Sequence, residues 1–374
     1  MTGNSLVPAP IAHLPWRLII VVIAIAMFGA LALYSAAGGS MKPWALNHTI
    51  RFFAFLSMAV VMSYVRPETY REYAWPSYIL VFVLLIAVML YGAIGGGARS
   101  WLEFGFIRIQ PSELMKPIVI LCLASFYARL PAAEIRKFSA IWPALLIIGI
   151  PFFIILIQPD LGTSSLLLLG GIMVMFLAGL PLRLFLGAGA ALAAMGPVAY
   201  SFLLPHQRER LLIFLNPEED PLGAGYHITQ SKIAIGSGGM FGKGFLHGTQ
   251  SQLKYLPEQH TDFIFPAMVE EWGMFAGLLL ILLFAMMLTW ATKVALDTGD
   301  RFGRLAAGGL SMTIFFYFAI NLLMVMGLAP VVGIPLPLFS YGGSAMLTVM
   351  LCLGILMAID RNNRRERRSR QTGF

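Results

Sequence analysis

Long apolar stretches, separated by short polar connections, make up most of this chain. They lie at about 18–33, 52–65, 77–91, 114–128, 140–157, 161–180, 184–204, 263–291, 305–327 and 343–359. A helix needs about 20 largely apolar residues to cross the hydrocarbon core of a bilayer. The pattern therefore predicts an all-α, polytopic integral membrane protein, one membrane domain over 1–374 with about ten transmembrane helices.

The composition agrees with a membrane protein and excludes an ordinary soluble domain. Hydrophobic residues are 58% of the chain, charged residues are 12%, and the mean hydropathy is +0.79. Small residues at 35–38 resemble a signal-peptidase site, but the apolar core before them is longer than the usual 7 to about 15 residues of a signal peptide, so we expect a retained helix. Cys122 and Cys352 lie inside apolar stretches, which predicts neither a disulfide framework nor a cysteine zinc site.

The net charge of +8 comes mainly from basic residues in alternate connections and in the tail. They are Arg66, Arg71, Arg129, Arg136, Lys137, Arg183, Lys293, Arg301 and Arg304, and then six arginines between 361 and 370. By the positive-inside rule, both termini lie in the cytoplasm and the long loop at 205–262 lies outside. This distribution argues against nucleic-acid binding, and we interpret the tail at 361–374 as a topology anchor near anionic lipid, with specific docking as the alternative.

The outer loop ends in an unusual density of titratable side chains where the chain re-enters the membrane. Glu258, His260 and Asp262 precede the apolar stretch, and Glu270 and Glu271 lie just inside it. Asp262 can cap the following helix, or it can be an ionisable group held at the membrane surface for chemistry. The helix dipole lowers the pKa of such a carboxyl and desolvation raises it, so the sequence leaves the direction open.

The middle of the same loop is glycine-rich. A stretch at about 226–236 is expected to form a short interfacial helix, and glycines at 236, 238, 239, 242 and 244 follow, with Lys243 among them. Glycines allow close backbone approach to a ligand, and Lys243 supplies a cation, which is weak support for a phosphate-binding loop. The spacing matches no Walker or dinucleotide motif, so no nucleotide cofactor is predicted.

Three further charged positions have a structural and a functional interpretation. Glu113 and Lys116 follow a helix start at Pro111 and are spaced to pair on one helical face, either as a neutral structural pair or as the lining of a cavity. Asp160 can cap the next helix or face the same outer cavity. Arg51 can extend to the lipid headgroups or bind a phosphate, as can the outward-facing Arg99 and Arg108.

Five motifs, together covering much of the chain, resemble the SEDS family (shape, elongation, division and sporulation), and within it the elongation branch. They are QPSELMK at 110–116, QPDLGT at 158–163, DPLGAGYHITQSKIAIGSGGMFGKG at 220–244, LPEQHTDFIF at 256–265 and PVVGIPLPLFSYGGSA at 330–345. The chain departs from the family pattern at Ser100, which precedes Trp101 where the family usually has arginine. Substrate contact by Arg99 is therefore in doubt.

The resemblance implies a ten-helix peptidoglycan glycosyltransferase in the bacterial cytoplasmic membrane that polymerises lipid II at the outer leaflet. Asp262 matches the catalytic carboxylate of the family, and Arg51, Glu113, Lys116 and Asp160 match polar positions of its central cavity. Lys243 and His260 complete the predicted substrate-binding set. Asp262 would act as general base on the acceptor hydroxyl, with Arg51, Lys116 or Lys243, with or without a divalent cation such as Mg²⁺, receiving the pyrophosphate.

The family also implies partners: a class B penicillin-binding protein that crosslinks the new strands, other proteins of the elongation complex, and membrane lipids. Two alternatives from other classes stay open, a flippase for the lipid-linked precursor and a scaffold that positions a partner enzyme. The clustering of the polar motifs on the outer side and the absence of an inverted sequence repeat favour the polymerase over the flippase.

Overall fold

The computed structural model describes residues 14–95, 98–104, 107–196, 208, 224–253, 255–256 and 258–372. The helices are α1 (Trp16–Ala36), α2 (Leu46–Met62, preceded by a π-helical turn at Met41–Ala45), α3 (Pro67–Tyr91), α4 (Pro111–Arg129), α5 (Phe138–Ile157), α6 (Leu161–Ala178), α7 (Leu182–Ala194), α8 (Ala224–Gly238), α9 (Thr249–Gln252), α10 (Ile264–Asp297), α11 (Arg301–Val325) and α12 (Gly343–Thr372). The strands are β1 (Ala93–Gly95), β2 (Ala98–Phe104) and β3 (Ile107–Ile109).

The prediction of a polytopic helical membrane protein is confirmed. Nine helices within the described ranges are long and apolar enough to cross a membrane, and α7 is a shorter apolar helix. The predicted span at 184–204 begins in α7, while its second half lies outside the described residues, as does most of the loop at 205–223. The chain is thus a multi-pass membrane protein whose count of spans agrees with the apolar pattern as far as the described residues reach.

Helix α4 occupies the centre of the bundle. It packs against α3, α5, α6, α11 and α12, and a larger share of its most apolar stretch is buried than in any other described span. Glycines let neighbours approach closely, because a Cβ at Gly170 of α6 would lie 3.1 Å from the Thr313 hydroxyl of α11. The central position of α4 means that its polar residues must find partners inside the protein.

Three short strands accompany the helices, a small local addition that the apolar pattern did not predict. They form an antiparallel sheet in the order β1-β2-β3, with Leu102 opposite Ile109 and Ile94 opposite Arg99. The segment is rich in glycine and connects two spans, and its backbone groups pair across the strands. Arg99 lies on β2, and its side chain is outside the described part of the structure.

Helix ends on both sides of the membrane follow local sequence rules. Asp160 caps α6 by accepting the Thr163 amide at 3.0 Å, and Asp300 caps α11 by accepting the Gly303 amide at 2.8 Å. Gly179 ends α6 with φ 112°, a left-handed conformation that glycine adopts without steric cost. The predicted basic tail is a direct continuation of α12 as far as Thr372.

Candidate functional site

Asp262 lies in a tight turn immediately before α10. The amides of Thr261 and Phe263 both donate to the Glu258 carbonyl, at 3.0 and 3.3 Å, and Glu258 has φ 51°. The N-cap residue of α10 is Phe263, and no side chain caps this helix. The capping interpretation of Asp262 is therefore wrong, and its carboxylate is available for another role.

The carboxyl group of Asp262 is partly buried and has no hydrogen-bond donor among the residues that the structure describes. Burial, and to a lesser extent the negative charge of Glu258, raise its pKa from 3.8 to about 7. Desolvation thus prevails over the effect of the helix dipole. A carboxyl with a pKa near neutrality and a free acceptor atom can take a proton from a substrate group.

The backbone of this turn is attached to the protein on two sides. The fully buried amide of Asn321, on α11, donates to the Asp262 carbonyl at 3.0 Å and to the Ile334 carbonyl at 2.7 Å. On the other side, the Tyr341 amide donates to the His260 carbonyl at 2.9 Å. The position of Asp262 is consequently fixed by α11 and by the segment at 328–342 that precedes α12.

Aromatic rings surround His260. Its imidazole stacks on Trp44, with ring centroids 4.4 Å apart, and the Tyr341 ring packs edge-on against Trp44 at 4.8 Å. Burial lowers the pKa of His260, and the Glu258 charge opposes that shift. The lowered pKa favours the neutral imidazole, which is stacked beside the turn that carries Asp262. Trp44 and Tyr341 join the candidate site although sequence reasoning missed them.

Arg51 reaches the same cluster from α2. Its guanidinium lies over the Tyr341 ring, 5.0 Å from the centroid, and next to Gly343 at the start of α12. The side chain is exposed, and within the described ranges it has no carboxylate partner. The structure therefore connects Arg51 through Tyr341 to the turn that carries Asp262.

Glu113 and Lys116 form the predicted pair, and they form it inside the bundle. The Lys116 Nζ lies 2.5 Å from Glu113 Oε1, and the two side chains are only 1% and 8% exposed. The Tyr317 hydroxyl donates to Glu113 Oε2 at 2.5 Å and the Thr348 hydroxyl at 2.8 Å, while Lys116 also donates to Tyr317. Every charge and hydroxyl of this cluster is satisfied, as burial in a bundle requires.

Asp160 combines its helix cap with a second contact. Gln110 Nε2 donates to Asp160 Oδ2 at 2.9 Å, and the Ser344 hydroxyl donates to Gln110 Oε1 at 3.3 Å. Thr163, the residue that Asp160 caps, reaches Glu113 Oε1 at 3.5 Å. Asp160, which is partly exposed, thus connects the buried pair to α12 near Arg51.

Lys243 occupies a different environment from the one expected of a free phosphate ligand. Its Nζ lies 2.6 Å from Glu270 Oε1 and 2.8 Å from the Thr249 hydroxyl. The glycine-rich segment around it packs on α10, where α8 also packs. The charge of Lys243 is therefore neutralised by a buried carboxylate, which favours a structural role over a ligand-binding one.

A dedicated metal site finds no support in the side chains. Within the described ranges, no group of three or more histidine, cysteine, aspartate or glutamate residues is arranged to hold a metal ion. Glu258 and Asp262 supply two carboxylates, and neither has a third such ligand beside it. The described residues around Asp262 therefore do not fit a protein-bound metal.

Comparisons with known proteins place the chain among cell-wall proteins. Residues 15–365 match the model of the FtsW/RodA/SpoVE family, described as "Cell cycle protein". The peptidoglycan glycosyltransferase MrdB of Escherichia coli (strain K12) is 44% identical over 93% of each chain. The peptidoglycan glycosyltransferase RodA of Treponema pallidum (strain Nichols) is 32% identical over 94% of this chain and 98% of its own.

Solved structures share the whole fold. A chain from work on the structural coordination of polymerization and crosslinking by a peptidoglycan synthase complex has a TM-score of 0.81 and 32% identity, covering 94% of this chain and 98% of that one. The crystal structure of the rod shape determining protein RodA of Thermus thermophilus has a TM-score of 0.70 and 27% identity, covering 94% and 97%. The chain thus belongs to the FtsW/RodA/SpoVE family of polytopic membrane proteins, the SEDS family.

Proposed function

We propose that this protein is a peptidoglycan glycosyltransferase that polymerises lipid II, the undecaprenyl-pyrophosphate-linked disaccharide peptide, into β-1,4 glycan strands at the outer leaflet during cell elongation. Relatives that are 44% and 32% identical over nearly the whole chain carry the name peptidoglycan glycosyltransferase. The observation that carries the proposal is the Asp262 carboxylate, which is partly exposed, caps no helix and has a pKa of about 7.

Asp262 is the general base of the proposed reaction. The 4-hydroxyl oxygen of the acceptor sugar attacks C1 of the donor sugar, and its proton passes to the Asp262 carboxylate as the new C–O bond forms. The bond from C1 to the lipid pyrophosphate breaks with both electrons going to the phosphate oxygen. Attack on the face opposite the leaving group converts an α-linked donor into a β-linked product. The activated donor supplies the free energy, so no ATP site is required.

Arg51 is the proposed cation for the departing pyrophosphate. A guanidinium can donate two hydrogen bonds to a phosphate at once. Of the three candidate cations, Lys116 is buried against Glu113 and Lys243 is paired with Glu270, whereas Arg51 is exposed and lies on Tyr341 near the catalytic turn. Its positive charge would stabilise the negative charge that develops on the leaving group.

The other predicted substrate-binding residues divide into two groups. His260 stacks on Trp44 two residues before Asp262, and Asp160 is linked through Gln110 to Ser344, next to Gly343 and Arg51. Both are partly exposed, so we propose them as contacts to the sugar or peptide portion of the substrate. Glu113, Lys116 and Lys243 are proposed to shape the protein around that region, because each is neutralised by a partner within it. A protein-bound divalent cation is not part of this proposal.

We propose the bacterial cytoplasmic membrane as the location, with both termini in the cytoplasm and the turn of Asp262 at the outer surface. A class B penicillin-binding protein is the proposed partner, because the similar solved chain belongs to a complex that coordinates polymerization with crosslinking. The outer ends of the spans would bind that partner and the surrounding elongation proteins.

Purified protein, reconstituted in vesicles with lipid II and its transpeptidase partner, tests the proposal. The wild type should form glycan strands, and Asp262→Ala should form none, without a lower thermal unfolding temperature. Asp300→Ala is the matched control, because it removes a carboxylate that caps α11, beyond the opposite end of α10 from Asp262. Movement of lipid II across the bilayer without strand synthesis would replace the polymerase by a flippase.

A further inference from the structure

Glu270 is a charged side chain that the proposed chemistry does not use. It lies on α10, is fully buried, and accepts hydrogen bonds with both carboxylate oxygens. Oε1 accepts from Lys243 Nζ at 2.6 Å and from the Thr249 hydroxyl at 2.9 Å, and Oε2 accepts from the Gln250 amide at 3.1 Å. A buried carboxylate is costly to keep, so this concentration of donors is a specific feature of the fold.

These contacts close a loop around the catalytic turn. Gln250 and Glu270 are 20 residues apart in sequence, and Asp262 lies between them. The chain that leads to Asp262 is thereby held to the helix that follows it. These bonds act together with other contacts of the segment that leads to the turn, such as the Gln259 side chain donating to the Ala36 carbonyl at 2.9 Å and the stacking of His260 on Trp44.

The backbone reinforces the same connection. Helix α10 is broken at Gly273, which has φ 79°, and a Cβ there would overlap the Met240 carbonyl oxygen. The glycine-rich segment fills the break: the amides of Lys243 and Gly244 donate to the carbonyls of Glu270 and Glu271, at 3.0 and 2.9 Å.

In the opposite direction, the amides of Met274 and Phe275 donate to Gly239 and Met240, at 2.9 and 3.4 Å. In an unbroken helix the carbonyls of Glu270 and Glu271 would have accepted from Met274 and Phe275. The glycine-rich segment therefore supplies a hydrogen-bond partner to each of the two carbonyls and two amides that the break in α10 leaves unpaired. The role of its glycines is to let the backbone fit into this break.

We propose that Glu270 is a positioning residue, which through Lys243, Thr249 and Gln250 clamps the outer loop to α10 and so holds Asp262 in its working geometry. The effect of the clamp on catalysis rests on the proposed function. Its effect on the position of the outer loop rests on the hydrogen bonds of Glu270 alone. The proposal predicts that removing the positive charge of Lys243 lowers the rate of strand synthesis, although this side chain is paired with Glu270 and contacts no reacting atom.

Substitutions at Lys243 and Glu270 test the clamp. Lys243→Met removes the cation, Lys243→Arg keeps it, and Glu270→Gln keeps the shape of the acceptor while removing its charge. Glu134→Gln is the matched control, since Glu134 and Lys137 form an exposed pair 3.6 Å apart at another site. Lys243→Met is the primary variant, because Lys243 is partly exposed and methionine fills a similar volume without leaving a void. It keeps the test possible if Glu270→Gln fails to fold.

Amide hydrogen exchange gives the first readout, and it does not depend on activity. In Lys243→Met and Glu270→Gln, we expect faster exchange over 243–263 with α11 unchanged, and wild-type exchange in Lys243→Arg and Glu134→Gln. Wild-type protection over 258–263 in Lys243→Met would overturn the clamp even if the protein proves to be no polymerase.

Strand synthesis from lipid II gives the second readout. Lys243→Met should lose at least about tenfold in rate per folded molecule, since small displacements of a base are costly. Its pH–rate profile should also shift to lower pH, because a loosened turn admits water to Asp262, with Glu258 as the charged group that faces it. A loss of rate that merely follows the loss of folded protein, with an unchanged pH profile, would contradict positioning.

Discussion

The side-chain amide of Asn321 lies 3.0 Å from the backbone carbonyl oxygen of Asp262, and this contact ties α11 to the turn that carries Asp262. The same amide donates to Ile334 at 2.7 Å, so one buried side chain connects α11, the turn and the segment before α12. Because the contact is to the backbone of Asp262, it fixes position and leaves the carboxylate free. Asn321 is therefore a second positioning residue of the proposed site.

Asn321→Leu should lower glycan synthesis strongly and stability moderately. The substitution removes the donor from the buried Ile334 carbonyl, at a cost of about 1–3 kcal/mol, and from the partly buried Asp262 carbonyl, which releases the turn. Asn363→Leu is the matched control, because Asn363 is also buried and bridges α12 to Thr298 and Val294 at the far end of the bundle. Both variants should unfold at lower temperature, but only Asn321→Leu should lose activity per folded molecule. Equal activity in the two would remove Asn321 from the site.

The rate of strand synthesis should rise with pH through about 7. The base must be ionised, and burial together with the Glu258 charge holds the pKa of Asp262 at about 7. Glu258→Gln removes the nearby negative charge, so the acid limb of the profile should move to lower pH. The variant would then outpace the wild type in mildly acidic buffer. A profile that is flat between pH 6 and about 8 in the wild type would contradict this electrostatic account.

Asp262→Asn should stabilise the fold at neutral pH. The pKa of Asp262 is higher in the folded protein, about 7, than its ordinary value of 3.8, so the folded state favours the protonated carboxyl. This preference stabilises the folded wild type fully below pH 3.8, and the stabilisation is lost as the pH rises through about 7. The variant should therefore match the wild type in acid and unfold about 2 °C or more higher at pH 8, measured by thermal unfolding in detergent. A lower unfolding temperature at pH 8 would count against the raised pKa.

Much of the fold follows from the apolar pattern, because a bilayer allows few alternatives for a chain of this hydropathy. The same physics made the pairing of Glu113 with Lys116 and the cap at Asp160 predictable, since both depend on residues a few positions apart on one helix. The short sheet at 93–109 was not anticipated, because its pairing depends on segments that meet only after the neighbouring helices pack.

The side chains that surround Asp262 could not be predicted from the sequence. Asn321, Trp44 and Tyr341 come from three separate elements and carry no motif that points to a carboxylate. Lys243 shows the same limit: a lysine among glycines resembles a phosphate-binding loop, yet its partner is Glu270, a residue that looked like one more member of an acidic cluster. Contacts between distant segments decided each of these cases.

The buried pair at the centre of the bundle should be far more sensitive than an exposed one. Glu113→Gln leaves the Lys116 ammonium inside the protein with only hydroxyl and amide neighbours, and breaking such a pair costs about 3–5 kcal/mol. Glu134→Gln breaks the exposed pair with Lys137 and should lower the free energy of unfolding by only about 0–1 kcal/mol. Thermal unfolding in detergent compares them, and similar losses in the two variants would show that the central cluster is hydrated.

The most direct test of the central claim compares three proteins in one lipid II polymerisation assay: wild type, Asp262→Asn and Asp262→Glu, each with the transpeptidase partner and each corrected for its folded fraction. Asparagine preserves the shape of the side chain and cannot take the proton, whereas glutamate preserves the base with its carboxylate displaced. We predict a loss of about 10²–10⁴-fold for Asp262→Asn and a partial loss for Asp262→Glu. Synthesis by Asp262→Asn at close to the wild-type rate would contradict the claim that this carboxylate is the base.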